Sequence, residues 1–516
     1  MTSTDGHVRL NSSASDTATL APTPQPSGFA KSNGDGTALP ALAETTPPDH
    51  PFRTLVLCFD GTGDQFDADN SNIVELFSML KKDDPSKQLV YYQAGIGTYT
   101  TPQIATPGAT KISQSLDMAV AWNLDAHIMG GYEFLMQNYR ANDRICIFGF
   151  SRGAYTARCL AGMIHKVGLL PAYNHQQVPF AYKMYTTTDD VGWKQSNAFK
   201  KTFSIDVDIE FLGVWDTVNA VGLIPRRLPF TTSNTVVRTF RHAVSLDERR
   251  AKFKANLWNR PTATEQTLSI TDKKIEKKQK TSTNGKKPGS SMKTLEERFT
   301  KDKTKATDID EVVWFAGCHC DIGGGSVSNG VKPCLSRIPF RWMIRECFKT
   351  NSGILFHTKG LAKTGLDPKA LYPVVLPRPP ALNSGVAYIE SVPKVQPPLD
   401  DDDYDDDAVV AEAVQETEEE LDLKDALAPV YDQLNLSWWW WLLEFLPMKQ
   451  RFQEGDNSWA TYFGWNLARG RYIPKQNSRG VRVHRSVKTR LEAEYANGQK
   501  YTPKANLNLE RVTWVD

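Results

Sequence analysis

Five runs of apolar residues in this chain lack strict alternation: Leu55–Phe59, Leu89–Gln93, Ile145–Phe150, Ile209–Trp215 and Val312–Ala316. A strand buried on both faces reads this way, whereas a half-exposed strand alternates. Between them lie stretches with apolar residues at helical spacing: Ile73–Leu80, Ala119–Tyr139 and Ala154–Val167. The succession predicts an α/β fold with a doubly wound, mostly parallel sheet and helices on both faces. In such sheets, sites form at the carboxyl ends of the strands. A reactive residue directly after a predicted strand is therefore a candidate for chemistry.

The polar stretches divide the chain. Residues 1–50 are rich in Ser, Thr, Ala and Pro and hold too few large apolar residues to offset chain entropy, so they read as a disordered tail. Residues 51–390 read as the catalytic domain, interrupted at 260–305 by a basic low-complexity insertion containing "DKKIEKKQKTSTNGKKPGSSMK". Residues 391–430, with "PPLDDDDYDDD" and "ETEEELD", read as an acidic linker. Residues 431–516 form a Trp-rich, mostly helical region expected to pack on the catalytic domain.

A net charge of +2 over 516 residues argues against a dedicated nucleic-acid binder. The seven cysteines, several inside apolar runs, suit buried thiols in a reducing compartment better than a disulfide framework. No basic segment followed by an apolar one opens the sequence, and no run reaches the roughly 20 apolar residues of a spanning helix. The expectation is an intracellular, cytoplasmic protein, with peripheral membrane contact as a variant. Oligomeric state is not legible.

Three residues pass the strand-end test. "RICIFGFSRGAYTAR" puts Ser151 in a G-x-S-x-G pattern, Gly149 to Gly153, between a strand and a helix. A serine hydroxyl needs a base and an orienting group to become a nucleophile, and the helix start offers free N–H groups for an oxyanion. "IEFLGVWDTV" ends a strand on Asp216, which reads equally well as a helix cap. "EVVWFAGCHCDIGGG" places His319 just past a strand, with Asp321 in support. Cys318, His319, Cys320 and Asp321 are too close in sequence to converge on one ion, and no second cluster has zinc spacing, so neither metal nor cofactor is expected.

The order Ser151, Asp216, His319 is that of the α/β-hydrolase triad. "CFDGTGD" supplies a turn after the first strand, where such folds place one oxyanion donor. Gly61 or Thr62 and the backbone N–H of Arg152 are the expected donors, with Asp60 supporting them. Aspartate-nucleophile phosphatases share D-G-T after a strand, but Cys58 stands where their nucleophile would be. His484 ranks second as the base. His242 ranks third, in "RTFRHAVSLDERRAKF", which reads as a polar-faced helix; His127 and His165 read as structural.

With these residues on the page, the blocks "CFDGTGD", "GFSRGAYTAR", "FLGVWDTV", "RHAVSLDERR" and "WFAGCHCDIGGG" resemble those of the catalytic domain of type VI secretion phospholipase effectors and their fungal relatives. The resemblance spans about residues 53 to 330. It implies an α/β-hydrolase-like esterase acting on lipid or acyl esters, with Ser151, Asp216 and His319 as its triad. The lysine-rich insertion and the acidic linker fall outside that pattern. No delivery or membrane-insertion module is recognisable, so the role of an injected toxin does not carry over.

Near the carboxyl end, "LNLSWWWWLLEFLPMKQRF" sets four tryptophans, Trp438–Trp441, in a row. Helical spacing cannot turn all four to one core. One reading is a membrane-interface wedge backed by Lys449 and Arg451. The other, favoured on sequence, is a helix buried on both sides or a lid. Two further functions remain open beside the esterase: a non-catalytic hydrolase-fold module that binds lipid or protein, and a metal-dependent phosphate-ester hydrolase.

Overall fold

The computed structural model describes residues 43–62, 64–95, 109–218, 228–258, 296, 308–391, 416–454 and 459–516. The N-terminal tail up to residue 42, nearly all of the basic insertion and the aspartate-rich part of the acidic linker lie outside these. Eight of the described strands make one sheet: β1 Thr54–Phe59, β2 Gln88–Gln93, β3 Arg144–Phe150, β4 Ile209–Trp215, β5 Val237–Ser245, β6 Asp308–Phe315, β7 Val481–His484 and β8 Val512–Val515. Their order is β2-β1-β3-β4-β5-β6-β7-β8, and each neighbouring pair is parallel.

Both faces are covered. Helices α1 Asn72–Met79 and α2 Ala109–Asn138 follow β1 and β2, and α3 Ser151–Val167 follows β3. Alternate residues of β1 and β3 enter opposite cores. Leu55, Leu57, Phe59, Ile145 and Ile147 pack with Ile128 and Tyr132 of α2 and with Leu160 and Ile164 of α3. Val56, Cys58, Cys146, Phe148 and Phe150 pack with Ile73 and Leu76 of α1 and with Ile338 and Ile344 of the helix Arg337–Lys349. This explains the unalternating runs: each side chain is buried whichever way it points. Each such aliphatic or aromatic side chain contributes about 1.5–3 kcal/mol by leaving water.

The sheet reverses direction of winding between β1 and β3, since β1 continues to β2 on one side and β3 to β4 on the other. The turn after β1 and the Ser151 turn after β3 border that switch point, where open α/β sheets bind ligands.

The stretch around His242, read from sequence as a helix, is strand β5, buried between β4 and β6 except at Arg238. Tertiary burial on both faces overrode its polar appearance. The carboxyl region carries helices and in addition supplies β7 and β8 and a hairpin of Met448–Gln453 with Trp459–Gly464. Val481, Val483 and Val487 there share a core with Val244 of β5 and Trp314 of β6. The helix Glu418–Leu427 buries Asp422 and Asp425 against Arg341, at 2.6 Å each, and Glu418 against Arg345 at 2.5 Å.

Candidate active site

Ser151 stands at φ +57°, a left-handed conformation unusual for a residue with a side chain, at the junction of β3 and α3. The neighbouring glycines make this turn feasible. A Cβ on Gly149 would lie 2.6 Å from the Gly153 carbonyl oxygen, and one on Gly153 would lie 2.3 Å from the carbonyl oxygens of both Phe59 and Asp60. The helix thus starts against the end of β1. No side chain caps it, so its first N–H groups, that of Arg152 among them, lack the usual partner.

Ser151 Oγ lies 2.8 Å from His319 Nε2, and His319 Nδ1 lies 2.5 Å from Asp216 Oδ2. A carboxylate only accepts, so Nδ1 carries the proton and Nε2 is left to accept from the serine hydroxyl. Such a chain can take a proton from the hydroxyl and hold the resulting imidazolium against a carboxylate. His319 begins the short helix His319–Gly323 just past β6, and Asp216, at φ +39°, directly follows β4. The imidazole sits between Phe150 and Phe253, with ring centroids 4.8 and 4.9 Å away. Burial pushes its pKa below the usual histidine value, although Asp216 opposes the shift. Burial alone would raise the Asp216 pKa, but Arg471 and then His319 hold it far below the usual carboxylate range.

The turn after β1 is held by Asp60, which accepts from Ser71 Oγ at 2.6 Å and Tyr92 Oη at 2.8 Å. It also accepts from the Gly61 N–H at 2.8 Å, which commits that expected oxyanion donor. Thr62 Oγ1 is buried without a hydrogen-bond partner. Beside it, Asp64 is raised to about 8 by burial and by Asp60, Asp67 and Asp69, against the pull of Arg152. Asp321 Oδ2 accepts from Cys318 N at 2.7 Å and Tyr431 N at 3.1 Å, tying the start of the His319 helix to the carboxyl region.

The other histidines are elsewhere engaged. His484 Nδ1 pairs with Ser486 Oγ at 2.9 Å, and its ring stacks on Phe315; burial pushes it down to about 3. His242 Nε2 accepts from Thr217 N at 3.1 Å, beside Asp216 but not in reach of Ser151 through any hydrogen bond. His165 Nδ1 bonds Asn234 Oδ1 at 2.8 Å. Among the described residues, no group of three or more His, Cys, Asp or Glu side chains could hold a metal ion.

Several contributors escape a strand-end reading. Arg471 forks onto Asp216 from the carboxyl region. Glu248 accepts from the His319 N–H at 3.3 Å and pairs with Arg250, whose guanidinium lies 3.5 Å from the Phe253 ring centroid. Asp247 accepts from Gly317 N at 2.7 Å and Ser245 Oγ donates to Gly317 O at 2.6 Å, fixing the turn that carries His319. "VRTFRHAVS" taken as a strand would have placed Asp247 and Glu248 at its carboxyl end; for Arg471 the sequence holds no such signal.

The tryptophan segment is not buried on both sides. In the helix Trp439–Glu444 and its flank, Trp438 and Trp439 are 61% and 62% exposed and stacked on each other. Trp440 turns inward onto Phe253, at 5.6 Å between centroids. Glu444 on the same helix is buried, accepting from Ala251 N at 2.6 Å and Ala468 N at 2.7 Å. That anchor directs the remaining face outward.

A parallel sheet with a strained serine at its switch point, followed in chain order by an aspartate and a histidine, defines an α/β-hydrolase-like protein. Residues 53–346 match the family described as T6SS, phospholipase effector Tle1-like, catalytic domain, and the chain belongs to that family. An uncharacterized protein of Saccharomyces cerevisiae, YEL023C, is 29% identical over 560 residues, covering 87% of this chain and 80% of the yeast protein. Two solved structures are similar. One, an uncharacterized protein from Pseudomonas aeruginosa, is 16% identical at a TM-score of 0.31, over 73% of this chain and 53% of its own. The other is the Tle1 effector bound to the VgrG spike from the type 6 secretion system, 19% identical at a TM-score of 0.26, over 53% of this chain and 52% of its own. The chain therefore spans about half the length of those two solved chains. No helix of the described residues is long and apolar enough to cross a membrane.

Proposed function

We propose that this protein is a serine hydrolase of lipid or other acyl esters, of the phospholipase type. The observation that carries this reading is the 2.8 Å approach of His319 Nε2 to Ser151 Oγ on a strained turn at the sheet's switch point. In this reading His319 takes the Ser151 proton as the oxygen attacks an ester carbonyl. Asp216 holds the tautomer and stabilises the imidazolium. The Arg152 N–H and the Thr62 side of the first turn receive the oxyanion, each donor worth about 3–4 kcal/mol in the transition state. His319 then returns the proton to the leaving alcohol, and water releases the acyl group from Ser151. Gly149 and Gly153 allow the turn, while Asp60 and Asp321 hold the two flanking loops.

The substrate class follows from the family and from the exposed tryptophans. Trp438, Trp439, Leu442, Phe445 and Leu446 present an apolar surface with Lys449 exposed beside it. Trp440 of the same segment packs on Phe253, which in turn packs on His319. An apolar, cation-flanked face so close to the site suits an enzyme that works at a lipid surface.

The decisive experiment is ester turnover by the purified chain, together with labelling by a fluorophosphonate probe. Both are expected in the wild type and both are expected to vanish in Ser151→Ala while the unfolding transition stays in place. A wild-type chain that neither cleaves esters nor reacts at Ser151 would leave a lipid-binding module without turnover.

A further inference from the structure

Arg471 lies outside residues 53–346 and outside each motif that marks the site. Its side chain is 2% exposed and all five of its N–H groups have acceptors. Nη1 donates to Asp216 Oδ1 at 2.5 Å and to Ser245 O at 3.2 Å. Nη2 donates to Asp216 Oδ2 at 2.8 Å and to Phe253 O at 2.7 Å, and Nε donates to Phe253 O at 3.1 Å. The planar fork spans both carboxylate oxygens, a geometry no other cation reproduces. Through Phe253 it also grips the loop whose ring covers His319.

Among the described residues, Asp216 otherwise receives the His319 Nδ1–H on Oδ2 and the Ser245 N–H, at 2.9 Å, on Oδ1. Among the described residues, the other charged or titratable groups facing the pair are Glu248 and Arg250 in the loop after β5, and His242 on β5 itself. Glu248 and Arg250 are ion-paired with each other at 2.8 Å. Burial, and then the positive charge of Arg158, keep His242 well below its usual pKa, and it accepts from Thr217 N. None of them offers Asp216 a second positive charge in contact.

We propose that Arg471 is a positioning residue for the reaction put forward above, on which this inference rests: its fork locks the Asp216 carboxylate against the His319 ring and offsets its charge, so the carboxyl region completes the active site. Removing a positive charge beside a carboxylate–imidazole pair makes the pair take up a proton more readily, whichever member holds it. A purely structural arginine would change stability without moving that titration.

The test is the pH dependence of fluorophosphonate labelling at Ser151 in the full-length wild type, Arg471→Met and Arg471→Lys. Arg471→Met is expected to shift the acid limb upward by roughly one unit or more and to slow the plateau rate about tenfold or more. Arg471→Lys keeps the charge but cannot span both oxygens, so its acid limb stays near the wild-type position while its plateau remains slowed. Absence of wild-type labelling at Ser151 would overturn the hydrolase reading, and this inference with it. Wild-type labelling with an unshifted limb in folded Arg471→Met leaves that reading standing and overturns the role of Arg471. Where Arg471→Met does not fold, Arg471→Lys decides: a slowed plateau supports the role and a wild-type rate overturns it.

Discussion

Gly153→Ala tests whether the serine turn is held by contact between α3 and β1. The new Cβ would sit 2.3 Å from two carbonyl oxygens, those of Phe59 and Asp60, and 2.7 Å from the Phe59 carbonyl carbon. All three are backbone atoms, two of them in Phe59 at the end of a strand paired on both sides with β2 and β3 and one in Asp60 just after it, so no flexible side chain can yield. Contacts below 3.0 Å are not sustained, so helix and strand must part by roughly 0.7 Å, an overpacking that costs about 2–3 kcal/mol. A displacement of that size at a nucleophile slows reaction by about ten- to a hundredfold. Both quantities are measurable on the same protein: the urea midpoint for stability and the fluorophosphonate labelling rate at Ser151 for geometry. Gly464→Ala is the control, since its Cβ would meet only the Tyr462 ring at 3.6 Å, and neither quantity should change. A Gly153→Ala protein with the wild-type midpoint and labelling rate would refute the steric account of the turn.

Burial holds His319 below its usual pKa despite Asp216, and a base must be neutral to act; the acid limb of the labelling rate should therefore have its midpoint below the usual histidine value of about 6.5. Asp216 lies far below the usual carboxylate range and adds no limb above it, so an acid limb centred above neutrality would contradict the assignment. Arg341→Ala takes from buried Asp422 and Asp425 the cation they share, leaving them Arg378 and Arg337, and should cost about 1–3 kcal/mol in urea unfolding. Ser151 labelling in the folded fraction should not change. Replacing Trp438 and Trp439 by Asp should abolish sedimentation with anionic phospholipid vesicles while sparing turnover of a short-chain soluble ester; loss of both together would place the pair in the fold rather than at a lipid surface.

What the sequence reveals follows from how local each signal is. β1, β3 and β4 are buried on both faces, so their composition alone announces them. The G-x-S-x-G turn is equally local, because the contacts that demand glycine arise between neighbours in the motif and the end of the adjacent strand. β5 hides behind Arg238, Arg241 and His242. Arg241 is ion-paired with Glu346, at 2.6 Å, and His242 accepts from the turn after Asp216. A polar residue with a distant partner looks like a solvent-facing one. The same holds for the carboxyl side of the acidic run, where Glu418, Asp422 and Asp425 look solvated until Arg341 and Arg345 are brought to them.

The site divides along the same line. Ser151, Asp216 and His319 each follow a strand and are found by position, one at a time. What fixes their mutual geometry is long-range: Arg471 on Asp216, Asp247 on Gly317, and Tyr431 on Asp321. Asp247 in turn accepts from Tyr501 Oη at 2.7 Å and Lys504 N at 3.0 Å. Three separate stretches of the carboxyl region therefore converge on the loops that carry the aspartate and the histidine. The exposed tryptophans lie on that same region, and Glu444 ties their helix to Ala468, three residues before Arg471. The tryptophan helix is thus hydrogen-bonded to the same short stretch of chain that carries Arg471. The carboxyl region carries both the apolar surface and the supports of the proposed reactive groups, so the two cannot be varied independently by its loss, only by the point substitutions named above.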